Sequence, residues 1–433
     1  MVLQWGYSRI SLEVSMKKHF PSGVPELCIM ILLSVLTLML IHNLKSPASG
    51  TWVEAEGKRY YRDTGGNPVT GWQTIENRQY YFAEDGSVST GWLTLNGVWH
   101  YFLEDGSMAT GWQTVGESSY HFTVDGTPLT GWQVIDGKNH YFHPDGTLAV
   151  GMTAIDGQDY LFSDDGILFT GFIQLDNKKY LFLPDGTMAR GWAKYQEQWY
   201  YAMENGCLFT GWLQQGEYWY YLHPDGVMAT GENIIDGKQY FFTPEGIQIT
   251  LVNPWHSIPD DYRVDLVAVD DTYAMDRSCA DALKQMLRDC AAAGHKGIIC
   301  SGYRSQADQE WLYKRKVDYY LDEGLDEEKA RELAGRSVAV PGTSEHQLGL
   351  AVDIVSTDYY VLDETQATTK VQQWLMEHCW EYGFILRYPV GTTDITGIVY
   401  EPWHYRYVGT AVSLKMKELG ITLEEYLGAV HYE

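Results

Sequence analysis

Cysteine is scarce in this chain, and cationic side chains are outnumbered. Six cysteines are scattered over 433 residues, and no two of them form a Cys-x-x-Cys pair. That spacing offers neither a cysteine zinc site nor a disulfide scaffold. Buried free thiols are the expected state, with a single bridge involving Cys279 or Cys290 left open. Lys and Arg number 31 against 57 Asp and Glu, a formal net charge of -26. Recognition of a phosphate backbone needs cations that displace counterions, so nucleic acid is excluded as a partner. An anionic polymer would be repelled unless the protein reads a cationic group on it.

One uncharged apolar run, LCIMILLSVLTLMLI, occupies residues 27–41. It is short against the roughly 20 residues of a spanning helix and long for a signal core. Lys17 and Lys18 precede it, and Lys45 and Ser46-Pro47-Ala48 follow it. This is the order of a signal peptide, with a basic region, an apolar core and a small-residue cleavage site. Cleavage after Ala48 is the expectation, with retention as a membrane anchor the alternative and Met16 as the start. No lipid-attachment cysteine closes the run. Residues 1–50 are read as signal or anchor with a short linker, and the remainder as exported and extracellular.

From residue 51 to about 250 the sequence repeats every 20 residues. Glycine recurs at Gly71, Gly91, Gly111 and onward to Gly231, and Trp follows it at 72, 92, 112, 132, 192 and 212. An aromatic cluster such as Tyr80-Tyr81-Phe82 comes next, and then Asp-Gly. An aromatic run, a turn ending in Asp-Gly and a second short strand predict a β-hairpin. A unit this short cannot bury a core alone, so residues 51–251 are expected to stack into a hairpin solenoid.

These repeats resemble the choline-binding and glucan-binding repeats of Gram-positive surface proteins. The resemblance implies a cell-wall polymer as partner, either choline-bearing or glucan-like. A quaternary ammonium is attracted by ring faces. Three repeats carry a second Trp in mid-repeat, which makes Trp92 with Trp99, Trp192 with Trp199, and Trp212 with Trp219 the candidate cages. For most other repeat aromatics, solenoid core is the simpler reading, and sugar stacking is a further one.

The period ends at Leu251-Val252. Residues 252–433 predict helices near 275–293, 305–322, 326–338 and 368–382, and strands at 297–303, 350–355 and 398–400. This mixture, without regular alternation, predicts an α+β domain. Three stretches concentrate chemistry: SGYRS from Ser301, SEHQLGLAVD from Ser344, and EPWH from Glu401. A hydrolytic zinc site wants three neutral or anionic ligands and one open position. His346, Asp353 and His404 supply two imidazoles and a carboxylate. Glu401 stands three residues before His404, so one turn can present both, with Pro402 breaking any regular strand. Arg304 offers a fork of donors to a carboxylate or a developing oxyanion.

The three stretches, together with YGFILRYP at 382–389, resemble the zinc D-alanyl-D-alanine carboxypeptidases of the vancomycin-resistance type and their L,D-carboxypeptidase relatives. The resemblance covers about residues 254–425. It implies one zinc ion held by His346, Asp353 and His404, with Glu401 as catalytic base. Arg304 would polarise the scissile carbonyl or steady the intermediate, and Ser344 and Gln309 would contact substrate. The implied partner is a peptidoglycan stem peptide trimmed of its C-terminal D-Ala. L,D-cleavage of tetrapeptide stems and a non-catalytic wall-binding protein are the alternatives. Two histidines and a carboxylate also make the facial triad of an iron oxygenase, against which the additional Glu401 counts. A lone histidine is more often structural, and His256, His295, His378 and His431 are read so.

Overall fold

The computed structural model describes residues 49–431. The expected signal or anchor segment lies outside them. Among the described residues, no helix is long and apolar enough to cross a membrane.

Ten two-strand hairpins follow one another, from β1 (Gly50–Ala55) and β2 (Lys58–Asp63) to β19 (Gly231–Ile235) and β20 (Lys238–Phe242). In the third, β5 (Gly91–Leu95) pairs with β6 (Val98–Phe102), Trp92 lying opposite Tyr101 and Thr94 opposite Trp99. The reversal between them is Asn96-Gly97, both residues at positive φ (54° and 81°). Two left-handed residues in a two-residue loop match the twist of the flanking strands. The hairpin turn is therefore not the Asp-Gly pair that the sequence makes conspicuous. Each hairpin runs from the Gly-Trp strand into the aromatic strand, and Asp-Gly makes a second turn after it. There Asp105 Oδ1 accepts from the Ser107 amide (2.9 Å) and hydroxyl (2.6 Å).

That second turn ties neighbours together. Beyond it, the Met108 amide donates to the Gln79 carbonyl of the preceding hairpin, and the Ala109 amide donates to Tyr101 of its own. Exposed strand edges are thereby paired. Gly106 has φ 83°, and a Cβ there would lie 2.5 Å from Val88 Cγ2, so the close approach requires glycine. One face of each hairpin is core: Phe82, Phe102, Phe122 and Phe142 are 1% exposed or less. The other carries Trp and Tyr.

The chain divides into two compact units, one reaching to Gly171 and including Pro184–Met188, the other comprising Phe172–Leu183 and everything from Ala189. The second contains the α+β part. Its sheet has the antiparallel order β24 (Gly297–Ser301), β25 (Ala351–Ser356), β27 (His404–Tyr407), β26 (Phe384–Leu386). Two-residue β21 (Gln248–Ile249) extends the last hairpin, and β22 (Leu266–Ala268) with β23 (Ala274–Asp276) make a separate ribbon. Helix α1 (Arg277–Ala292) is capped by Asp276. Helix α2 (Gln306–Asp322) starts at a reciprocal Ser305–Asp308 capping box, which satisfies otherwise orphaned amides. Then come α3 (Glu327–Gly335), α4 (Lys370–His378), single-turn α5 (Thr393–Thr396), α6 (Thr410–Leu419) and α7 (Leu423–Leu427).

All six residues of β25 are buried. Val352 and Ile354 join Leu283, Met286, Leu375 and Phe384 in the main core. A second core joins Phe241, Ile247, Ile249 and Leu251, from the end of the repeats, to Val408, Val412, Met416 and Leu423. The expected strand at 398–400 does not form. Gly397 is left-handed (φ 76°) and the Val399 amide donates to Arg336 rather than to a ladder. The cysteines at 207, 279, 290, 300 and 379 are all free.

Candidate metal centre

The sheet delivers the chemistry to one end. Asp353 in β25 and His404 at the start of β27 are direct cross-strand partners, and Ser301 of β24 lies opposite Asp353 on its other side. His346 comes from a 3-10 turn, Glu345–Leu348, closed by left-handed Gly349 (φ 72°). One atom each from His346, Asp353 and His404 lie within 4.8 Å of one another, and all three residues are buried.

Each imidazole turns a defined nitrogen toward the others. His346 donates from Nδ1 to the Gly302 carbonyl at 2.8 Å, which leaves Nε2, 3.2 Å from Asp353 Oδ2. His404 approaches with Nδ1, 3.1 Å from Asp353 Oδ1. Yet Asp353 Oδ1 carries no hydrogen bond within the described residues. Two imidazole nitrogens and a carboxylate oxygen crowd together without bonding, as expected of lone pairs directed at a common cation. The donor set of two imidazoles and one carboxylate fits zinc, and by type alone iron as well.

Electrostatics agrees with that fit. Burial holds His346 in its neutral form, lowered to about 4. Burial also works against charge on His404, but the Asp353 and Glu345 carboxylates outweigh it and carry it up to about 9. The surroundings of His404 thus favour positive charge. Burial opposes ionisation of Asp353, and its two histidine neighbours and Arg304 reverse this and hold it well below the usual range.

Glu401 sits in the turn that precedes β27, where the His404 amide donates to the Glu401 carbonyl (3.2 Å). Its Oε2 lies 3.5 Å from His404 Nδ1. Burial pushes its carboxyl up to about 8. The turn puts acid and imidazole on the same side despite their odd spacing, as Pro402 in the sequence suggests.

The remaining sequence candidates fall into different roles. Arg304 is within the site, but its guanidinium donates to Asp353 Oδ2 (2.8 Å) and to Ser301 Oγ (2.9 Å). Gln309 is fully buried and uses its amide on the protein itself, donating to the Ala339 carbonyl (2.7 Å) and accepting from Arg304 (3.5 Å). It ties Arg304 to the Ala339 main chain. Ser344 is buried at the entry to the 3-10 turn and makes no side-chain cap.

Sequence reasoning passed over Glu345, Arg387, Arg406 and Glu424. Arg387 Nε and Arg406 Nη1 both donate to Glu345 Oε1 at 2.8 Å, and Arg387 Nη1 donates to Glu424 Oε2 at 2.9 Å. An acid immediately preceding a ligand histidine is the one signal the sequence held.

In the repeats, Trp92 meets Trp99 at 5.9 Å between ring centroids and Tyr120 of the next hairpin at 5.1 Å. Trp212 meets Trp219 at 6.4 Å and Tyr240 at 4.8 Å. Trp192 meets Tyr201 and Tyr220 instead, at 5.2 and 4.9 Å, and Trp199 stands 41% exposed.

The VanY D-alanyl-D-alanine carboxypeptidase family matches residues 272–410. The choline-binding repeat family matches 69–110, 89–127, 109–150, 169–206 and 209–250. A D-alanyl-D-alanine carboxypeptidase of Enterococcus faecalis is 40% identical over 179 residues, 41% of this chain and 65% of that protein. This chain therefore spans slightly less than two thirds of that relative's length. The bifunctional D-Ala-D-Ala dipeptidase and carboxypeptidase VanXYC of Enterococcus gallinarum is 39% identical over 34% of this chain and 75% of its own length. A crystal structure of a mutant vancomycin resistance D,D-pentapeptidase VanY in complex with Zn(II) is 41% identical over 41% of this chain and 97% of that one, with a TM-score of 0.37. The protein belongs to the VanY D-alanyl-D-alanine carboxypeptidase family through its C-terminal part, with repeats that match the choline-binding repeat family ahead of it.

Proposed function

We propose that this protein is a zinc-dependent carboxypeptidase that removes the C-terminal D-Ala of peptidoglycan stem peptides while its repeats hold it to a wall polymer. The observation that carries this reading is the convergence of His346, Asp353 and His404, all buried, with Glu401 against the same imidazole nitrogen. The functional division falls near residue 252, repeats before it and peptidase after it. Export depends on the apolar segment before residue 50, as a cleaved signal or an anchor.

His346 Nε2, an Asp353 oxygen and His404 Nδ1 would hold the zinc ion. When bound, zinc supplies a Lewis acid and lowers the pKa of its water to about 7. The chain's own residues do the rest. Glu401, with its carboxyl pushed up to about 8 by burial, holds a proton more readily than an exposed acid. That suits a group that accepts a proton from attacking water and returns it to the departing amine. The Arg304 side chain is 20% exposed. It can serve the substrate carboxylate or the developing oxyanion while anchored on Asp353.

For the repeats, Trp92, Trp99 and Tyr120 form the best-supported cage for a quaternary ammonium. The decisive experiment incubates the zinc-loaded full chain with pentapeptide and tetrapeptide stems and measures D-Ala release, with and without a chelator. Chelator-sensitive release from the pentapeptide supports the reading. Release from the tetrapeptide alone would replace it by L,D-cleavage, and release from neither would leave a wall-binding protein.

A further inference from the structure

Both imidazoles of the centre have a second nitrogen that needs a partner of its own. His346 disposes of Nδ1–H on the Gly302 carbonyl. For His404, Nε2 is buried and makes no hydrogen bond among the described residues. The atom it faces is Glu345 Oε2, 3.6 Å away, which is buried and equally without one. A bridging water needs about 2.8 Å to each partner, so no water fits in line between them. Each is the other's available partner.

Glu345 is built for this. Its side chain has no exposure, and a buried carboxylate persists only when paired. Two guanidiniums, from Arg387 and Arg406, converge on the single oxygen Oε1. They fix the carboxylate plane and leave Oε2 as an acceptor with nothing to accept except His404. Arg387 is in turn shared with Glu424, whose Oε1 accepts from Asn253 (3.0 Å).

We propose that Glu345 is a positioning residue: its Oε2 accepts the Nε2–H of His404, which leaves the Nδ1 lone pair free and aimed at the point shared with His346 and Asp353. The inference rests on the metal-site reading above and deepens it. One 3-10 turn then serves both imidazoles, with His346 as a ligand from one residue and Glu345 as the support of the other ligand from the residue before it. Ligand histidines whose distal N–H lacks its acceptor typically lose about 10- to 100-fold in metal affinity.

The test is Glu345→Gln in the full chain. Arg387 and Arg406 demand an oxygen acceptor, so the glutamine carbonyl takes the Oε1 position and its NH2 takes that of Oε2. An NH2 there donates to His404 Nε2 and drives the proton onto Nδ1, the wrong nitrogen. Zinc affinity, measured by competition with a chelating indicator, is expected to fall about 10- to 100-fold. The visible spectrum of the cobalt-substituted protein should change as well, with the apo-protein's unfolding temperature serving as control for the fold. Equal zinc affinity and an unchanged cobalt spectrum overturn the proposal. Should the variant not fold, the wild-type zinc-loaded chain decides: with 15N-labelled histidine, the His404 Nε2–H proton must be observable and slow to exchange. A rapidly exchanging proton there overturns the role. If the wild-type chain binds no zinc at all, the functional reading fails and this inference with it. If wild type binds and Glu345→Gln binds as well, only the inference fails.

Discussion

Arg406 donates from Nη2 to the main-chain carbonyl of Thr250 at 2.9 Å, across 156 residues of sequence. The same guanidinium holds Glu345. The last repeat therefore supplies a hydrogen-bond acceptor to the cluster behind the metal centre, and its apolar tail completes the core beneath α6 and α7.

Replacing Leu251, 3% exposed, by alanine in the full chain should destabilise the second unit by about 2–4 kcal/mol through lost burial and a residual cavity. A chain begun at residue 252 should unfold at lower temperature than one begun at 189, since a buried guanidinium N–H is left unsatisfied, at about 1–3 kcal/mol. Thermal unfolding of the full chain, its Leu251→Ala variant and the two shortened chains checks this. Equal transitions would mean the repeat end contributes nothing.

Glu401→Gln should retain zinc and lose about a hundredfold or more of D-Ala release, the usual contribution of a positioned proton carrier. His404→Ala should lose zinc and turnover together. Metal analysis beside a D-Ala assay separates the two, and an active Glu401→Gln enzyme would remove the residue from the chemistry.

Buried histidines should make the first unit sensitive to acid. His100 and His140 occupy positions filled by Tyr80, Tyr120 and Tyr160 in neighbouring repeats, and each has an Nδ1 without a hydrogen bond among the described residues. Burial lowers both below the ordinary value of 6.5. The unfolded chain therefore binds protons first as pH falls. Stability is complete above about pH 6.5 and declines below it. The double variant His100→Tyr/His140→Tyr should lose less unfolding temperature than wild type between pH 7 and 5, and identical losses would refute the assignment.

Trp92→Ala should weaken choline binding at its cage by about 1–2 kcal/mol, and Trp99→Ala similarly. Equilibrium titration with choline reads the loss. An unchanged titration curve would assign both rings to packing alone.

Much of this was legible because local patterns carry it. The helix read at 305–322 lies within one residue of α2, which the Ser305–Asp308 box starts. The 20-residue period gives the hairpins. The turn was misplaced because Asp-Gly is conspicuous, while Asn96-Gly97 is matched elsewhere by Glu76-Asn77 and Gln196-Glu197, which share only their positive φ. The three residues that converge, His346, Asp353 and His404, were readable from motif. Glu345 was not, because its meaning depends on Arg387, Arg406 and His404 arriving from 42 to 61 positions away. Arg304 was read toward substrate, and its anchoring on Asp353 had no signal in the sequence.

Main-chain ties reach back one hairpin, as from Met108 to Gln79, and some side-chain ties span two, as from Arg59 to Asp105, so insertion or deletion of whole modules upstream disturbs only the hairpins beside the edit. The final module enjoys no such freedom, being welded to the chemistry through Thr250. A lineage or an engineer tuning grip strength should therefore edit copy number at the far end of the tether and leave the module nearest the catalytic part alone.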